Sequence, residues 1–479
     1  MRVRIQVIVE SEAGDPPVIQ EVAALERGPL QPEELGLTLA EAKDLLRGVQ
    51  ETMVAGQVAE FVARQECCPD CGRRRPRKGR HEIVYRTLFG KLRLDSPRLY
   101  ACPCRQGDRA SASPLAELLP ERTAPELAYL ETKFAALMSY GLTVEVLGEI
   151  LPLSKELNTM AVRRQVRDVA ERLEGELGAE QPHFIEGCQR DWDQLPRPGP
   201  PLTVGLDGGY VPARHPQSRT EGSFEVIAGK VLKEDGDPTC FAFVPHVDAK
   251  PKRRLFEVLK SQGLQMNQRV EFLTDGGDTV RELPLFLVPE SEHWLDWFHI
   301  TMRLTVLGQM TKGLAAESNP VSKPGEDEDG RLDMTAVDKQ LESLKWHLWH
   351  GNVYRALQLI EDLEWDIEAQ EEPSERAKKL LKAVRDFHHY IEANRSSIPN
   401  YGDRYRHGEA IATSFAESTV NQVISKRMVK KQQMRWTEWG AHLLLQVRTQ
   451  VLNEDFRETF HRWYPGLKAD PDQVEDAAA

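Results

Sequence analysis

Along the chain, apolar residues recur with two different periods, and the period changes at places that suggest boundaries. Residues 1–9, MRVRIQVIV, alternate in the period of two that predicts a strand, and the segment up to about residue 20 reads as strand and loop. Residues 38–65 switch to helical spacing, with Ala42, Leu45, Leu46, Val49, Met53, Val54 and Val58 on one face. Alternation returns in HEIVYRTLFGKLRLDSPRLY, 81–100, which predicts a hairpin turning near Gly90-Lys91. Residues 115–180 are helical in pattern, broken near Pro152, with Ser154 a candidate cap for the next helix. LPRPGPP, 195–201, is a stiff linker.

After that linker the pattern predicts strands at 202–207, 223–232 and 240–246. A helix at 251–262, a strand at 270–275, a helix at 278–287 and a strand at 292–298 follow. A meander followed by alternating helix and strand predicts a mixed α/β sheet. Residues 318–330 read as a loop, 334–396 as helices, and 416–430 and the stretch from 437 as two more helices. The tail beyond 466 is acidic and reads as disordered, and no internal repeat is evident.

A chain of 479 residues implies several domains. The expected divisions are an N-terminal strand-and-helix region, 1–62, a basic module, 63–112, and a helical region, 113–194. The α/β domain follows at 195–310, then a helical stretch, 311–408, closing helices, 409–460, and the tail, 461–479. No apolar run approaches the roughly 18 residues of a membrane span, and the N-terminus lacks the continuous apolar stretch of a secretory signal, so a soluble, cytoplasmic protein with no membrane partner is expected. Net charge is −13, but residues 64–109 carry 13 Lys+Arg against 5 Asp+Glu, a local balance of +8 in a remainder of −21. That contrast suggests one polyanion-binding face, the alternative being a solvated surface.

Five of the seven cysteines fall within forty residues. Cys68-Pro-Asp-Cys71-Gly and Cys102-Pro-Cys104 form two knuckles across the expected hairpin, a ribbon-like spacing for a structural Zn²⁺ held by four thiolates; buried free thiols are the alternative. Between the knuckles runs RRRPRKGR, with Arg73, Arg74, Arg75, Arg77, Lys78 and Arg80 as candidate phosphate contacts. In the helix after Pro152, Arg163, Arg164 and Arg167 would face DNA if the pair is a helix-turn-helix; a generic helix pair looks the same.

The α/β region holds two matched stretches, TVGLDGGYV with Asp207 and VEFLTDGGD with Asp275. Each Asp-Gly alone is a turn signal. On neighbouring strands the two carboxylates would repel, and oxygen-only ligands of this kind suit Mg²⁺ or Mn²⁺. Asp278 is a nearby alternative to Asp275. Glu417, in TSFAESTVNQVISKRMVKK, opens a helix that later carries Lys426, Arg427, Lys430 and Lys431, and is the candidate third acid. The tryptophans Trp294, Trp297, Trp346, Trp349 and Trp436 read as core, with one or two suited to stacking on an unpaired base.

This ordered set resembles the DDE transposases of bacterial insertion sequences, in particular the ISKra-type group and, more distantly, Mutator-like enzymes. The residues that carry the resemblance are GLDGGYV, LTDGGD, LDWFHI and FAESTVNQVISKRM, and it covers roughly 200–450. It implies an RNase H-like catalytic domain with an all-helical insertion, preceded by a zinc-ribbon-like and a helix-turn-helix-like DNA-binding region. It also implies that Asp207, Asp275 and Glu417 hold two Mg²⁺ (or Mn²⁺), and that Asp296 and His299, spaced as D-x2-H, assist at the end of a strand. The partners implied are transposon-end and target DNA, with a homodimer or larger assembly, nucleoid-associated when bound. The competing readings are an RNase H-like nuclease that does not join strands and a transposase-derived DNA-binding protein.

Overall fold

The computed structural model describes residues 1–10, 16–104, 111–153, 157–215, 222–234, 236–317, 334–370, 374–430 and 434–467. Ser154, Lys431, the expected 318–330 loop and the tail from 468 lie outside these residues. The fold is mixed α/β with three sheets, and the chain divides into two compact units, Met1–Glu171 with Glu454–Ala479, and Arg172–Asn453.

In the first unit, β1 (Arg2–Val9) pairs antiparallel with β2 (Val18–Glu26). The sequence pattern over 18–20 predicts loop; β2 is a strand because its partner supplies the pairing, not because its own pattern alternates. Helix α1 (Leu39–Glu66) starts at a reciprocal cap, in which Thr38 accepts from Glu41 N and Glu41 accepts from Thr38 N. β3 (Arg77–Thr87) and β4 (Gly90–Tyr100) form the expected hairpin, turning at Thr87↔Gly90, and β5 (Ser111–Ala112) adds to its edge. The basic run is therefore partly strand, since Arg77, Lys78 and Arg80 belong to β3. Helices α2 (Pro114–Leu118), α3 (Pro125–Leu137), α4 (Tyr140–Ile150) and α5 (Thr159–Glu176) follow. Helix α4 ends at Ile150 and α5 begins at Thr159, and residues 154–156 between them lie outside the described residues.

The second unit begins at Arg172, within α5, continues through α6 (Gln189–Trp192) and is built on a five-stranded sheet of β6 (Leu202–Pro212), β7 (Ser223–Leu232), β8 (Thr239–Phe243), β9 (Val270–Thr274) and β10 (Ser291–Leu295). The order across it is β10-β9-β6-β7-β8. β6, β7 and β8 are an antiparallel meander; β9 and β10 run parallel to β6 on its other side. One face carries Leu202, Val204, Leu206, Ile227, Phe241 and Phe272, buried against Leu255 and Leu259 of α7 (Pro251–Ser261). A short helix, α8 (Asp278–Arg281), leads toward β10, so most of the helix expected over 278–287 is turn.

After β10 come α9 (Trp297–Glu317), α10 (Met334–Trp349), α11 (Val353–Glu368) and α12 (Glu375–Ala393), which share their own core of Leu304, Leu344, Ile360, Leu363, Val384 and Phe387. The expected helical stretch between the second and third acids is thus a packed bundle. The strand expected over 292–298 stops at Leu295, and Trp297–His299 form the first turn of α9. Helix α13 (Tyr401–Arg406) and α14 (Ser414–Val420) follow, and the latter widens into π-helical turns over Asn421–Val429. The chain closes with α15 (Glu438–Leu452) in this unit and α16 (Phe456–Trp463) in the first.

Glycines in β6 decide how the helix at 414–429 reaches the sheet. A Cβ at Gly205 would lie 2.4 Å from Phe415 Cε2, and one at Gly209 would lie 3.0 Å from Val420 Cγ1 and Ile424 Cδ1. Gly205→Ala should therefore cost about 1–3 kcal/mol by overpacking. In Gly308→Ala, within α9, the new methyl meets nothing within 4 Å, and stability should hold or rise by up to about 1 kcal/mol. Urea unfolding of the two variants would show it; equal midpoints would remove the close-approach argument.

Candidate functional site

β6 does not end at Asp207, as the sequence analysis expects, but continues to Pro212 beside β7. What ends there is its pairing on the other side. The β6–β9 partners run from Leu202↔Val270 to Gly205↔Leu273, an offset of 68 residues that also separates Asp207 from Asp275. The two acids therefore stand level just past the point where the strands part. Side chains alternate across a sheet, so Asp207 shares its face with Gly205 and Gly209, the face that the helix at 414–429 covers. Ala228, small, lies beside it on β7. The first turn of α14 supplies Glu417.

The electrostatics record this convergence. Burial raises the Asp207 carboxyl to about 6, with the charges of Asp275 and Glu417 pushing the same way and His299 opposing them. Asp207 and Asp275 are half-buried, and Glu417 is exposed. Each aspartate also accepts a local backbone N–H, from Gly208 at 2.8 Å and Gly277 at 2.9 Å.

The turn after Asp275 is braced from the helical bundle. Gly276 has φ of 80°, and a Cβ there would lie 2.6 Å from Leu295 Cδ1 and 2.7 Å from Asn394 Oδ1, so only glycine fits. Gly276 N donates to Thr274 Oγ1, which also pairs with His293 Nε2 at 2.7 Å. Burial takes the His293 imidazole down to about 4, so it is neutral at physiological pH. Tyr390, on α12, donates its hydroxyl to the carbonyl of Asp275 at 2.9 Å, and Arg281 joins the Gly276 carbonyl to Asn394. Tyr390 and Asn394 escape a sequence reading because they lie more than 110 residues from the turn they hold.

Asp296 and His299 differ in what they can do. Asp296 is fully buried; its Oδ1 accepts from Phe298 N at 2.7 Å, and its Oδ2 accepts from the backbone N–H and hydroxyl of Thr413. It caps α9 and ties down the segment that enters α14, so its carboxylate is occupied by protein donors. His299 Nε2 has no hydrogen-bond partner among the described residues and lies 3.9 Å from Asp296 Oδ2.

The expected nucleic-acid contacts divide. Arg73, Arg163, Arg164, Lys426 and Lys430 are exposed, and Lys430 donates to Asn421. Arg167 pairs with Asp168 and Glu171 on its own helix, and Arg80 lies 3.7 Å from Asp95. Arg74 and Arg77 both grip Glu66, Arg75 donates to the Tyr100 carbonyl, and Lys78 reaches Ser111. Arg427 is a correction: it is fully buried, over the ring of Trp436 at 5.3 Å. Arg427 follows Ile424 and Val423 by three and four residues and so shares their buried helix face; grouping it with the neighbouring cations by charge alone hides that position. Trp297 packs on Trp349 and Tyr401 as core, whereas Trp346 is half exposed.

In the first unit, the sulfurs of Cys68, Cys71, Cys102 and Cys104 all lie within 4.8 Å of one another, a set that could hold a structural zinc. Cys68 N donates to Arg73 O, and Gly72 N to Cys68 O, closing the knuckle. Backbone N–H groups of Asp70 and Cys71 bring the Cys68 thiol down to about 7, while Cys104, facing the other sulfurs, is pushed up to about 12. A second cluster, Glu174, Asp248 and His442, is equally tight. There Arg254 already supplies the cation, with Nε 2.9 Å from Asp248 Oδ2 and Nη2 2.9 Å from Glu174 Oε1. Among the described residues no helix is long and apolar enough to cross a membrane.

Two measurements follow from these charges. Asp207 binds its proton more tightly in the fold than in the unfolded chain, so its contribution to stability is complete below about pH 4 and is lost as pH rises through about 6. Asp207→Asn should thus be more stable than the parent by about 1–2 kcal/mol at pH 7–8 in EDTA, with the gap closing toward pH 4; thermal melts at both ends of the range would reveal a constant gap if the repulsion is absent. The purified protein should also carry about one zinc per chain by colorimetric assay after thiol modification, and Cys102→Ser should not. No protein-family model matches the chain, and no curated protein matches it either, so its function has to be argued from the site's own chemistry.

Proposed function

We propose that the protein is a DNA transposase, in which Asp207, Asp275 and Glu417 hold two Mg²⁺ or Mn²⁺ ions on an RNase H-like sheet. The observation that carries this reading is the convergence of three carboxylates: the β6–β9 register sets Asp207 level with Asp275, and the helix that covers the Asp207 face supplies Glu417. Three oxygen donors crowded at a sheet edge suit hard divalent cations. Strand order supports the reading as well: an antiparallel meander, two parallel strands beyond its first strand, and acids on β6, just past β9 and on a covering helix.

Bound there, two such ions supply positive charge to the attacking and leaving oxygens of a phosphodiester. The chain's own residues do the rest. Asp207, Asp275 and Glu417 bind and space the ions. His299 would take the proton of the attacking water or 3′-hydroxyl at Nε2, which has no protein partner to compete for it. Asp296 acts through others: by tying Thr413 and capping α9 it orients both His299 and the start of α14.

The cysteine set, as a zinc ribbon, together with the exposed Arg73, Arg163 and Arg164, would bind transposon ends, and Lys426 and Lys430 would face DNA beside Glu417. Phosphate contacts of this kind position DNA without reading its sequence. Work on paired ends implies a homodimer or larger assembly, acting in the bacterial cytoplasm.

The test is a cleavage and strand-transfer assay on labelled DNA carrying the element's flanking ends. Mg²⁺ should give cut and joined products, EDTA none, and Asp275→Asn a loss of about 100-fold or more, since such sites contribute several kcal/mol to the transition state. Cutting without joining would identify a nuclease instead. Binding with no metal-dependent product would leave a DNA-binding protein and end the catalytic reading.

A further inference from the structure

We infer that Arg303 is a substrate-binding residue of the proposed site, gripping a DNA backbone phosphate beside the one that is cut. Arg303 follows His299 by four residues on α9, so it lies on the same helix face about one turn, or 6 Å, further along. It is exposed, and among the described residues it meets no carboxylate at ion-pair distance. Several other arginines of this unit are committed to carboxylates: Arg254 to Asp248 and Glu174, Arg404 to Glu271 and Glu409, Arg269 to Glu271 and Glu292, Arg385 to Glu364 and Glu368. With no carboxylate at ion-pair distance among the described residues, the guanidinium is held instead by an aromatic side chain: its Cζ lies 4.0 Å from the centroid of Tyr390.

That contact orients the group without neutralising it. A guanidinium stacked on an aromatic face keeps its N–H donors at the edge, where a phosphate can accept two of them. The platform is itself fixed, because the Tyr390 hydroxyl donates to the carbonyl of Asp275. The guanidinium, the ring and the second acid therefore form one connected unit, and a phosphate held at Arg303 is held in register with Asp275. The charge pattern explains the need. Without bound ions the three acids repel a polyanion, and a cation that no carboxylate neutralises gives the strand a point of attachment beside them.

This inference rests on the proposed reading, and the experiment separates the two. Binding of a labelled oligonucleotide with a duplex–single-strand junction is followed by anisotropy from about 50 to 200 mM salt, in Ca²⁺, using the full chain. Arg303→Gln should lower the slope of log affinity against log salt by about one relative to the parent, whereas Arg303→Lys should keep it. In the cleavage assay with Mg²⁺, both variants should lose about 10-fold or more in kcat/KM, lysine lacking the paired donors. A neutral methylphosphonate next to the cleaved position should slow the parent protein and leave Arg303→Gln no slower than it already is. An unchanged slope with unchanged cleavage in Arg303→Gln would overturn the role of Arg303 while leaving the function reading intact. A parent protein that binds no oligonucleotide would overturn both, and that outcome is visible before any variant is made.

Discussion

Like charges set the terms of this structure. Three carboxylates, Asp207, Asp275 and Glu417, lie near enough for the second and third to raise the proton affinity of the first, which burial has already raised. Such an arrangement costs stability, and a chain that maintains it must hold each acid from outside the cluster. The supports are identifiable. β7 pairs with β6 through Asp207 and beyond it, so the first acid sits on a continuous strand. Gly205 and Gly209 bring the 414–429 helix down on that strand, and with it Glu417. Asp296 fixes Thr413 one residue before that helix begins.

The helical bundle between the second and third acids is part of this support. Its last long helix, α12, contributes Tyr390 and Asn394, which clasp the Asp275 turn through the Asp275 carbonyl and through Arg281. A bundle with its own core of leucines and aromatics is rigid enough to serve as an abutment. The bundle is therefore tied to the turn of the second acid by these hydrogen bonds.

Much of this was legible in the sequence, for a physical reason. Strand alternation is a local property, so β6, β7, β9 and the hairpin of β3 and β4 could be read from residues two apart. Asp207 and Asp275 stood out because each follows an apolar run and precedes two glycines. What failed was whatever depended on a partner. β2 alternates poorly and is a strand by virtue of β1. Trp297–His299 looked like strand because the apolar run of β10 continues into the first turn of α9; the change of period is marked by Asp296, whose side chain caps the helix. Arg427 was grouped with the exposed cations by its charge, although it lies three and four residues beyond Ile424 and Val423, on the face that is buried.

The same distinction bears on how the basic residues should be weighed. A cation count along the chain cannot tell a guanidinium that faces solvent from one that closes a carboxylate. Arg74 and Arg77 together hold the Glu66 carboxyl well below its ordinary range, because both donate to it, and that commitment ties the end of α1 to the start of β3. Their contribution is partly structural, to the scaffold that carries the cysteine cluster. Among the described residues, the side chains of Arg73 and Arg163 have no such duty. The net +8 of 64–109 already subtracts the acids, so these pairs do not reduce the module's charge; they fix where it lies, and that placement sets the field a polyanion would meet.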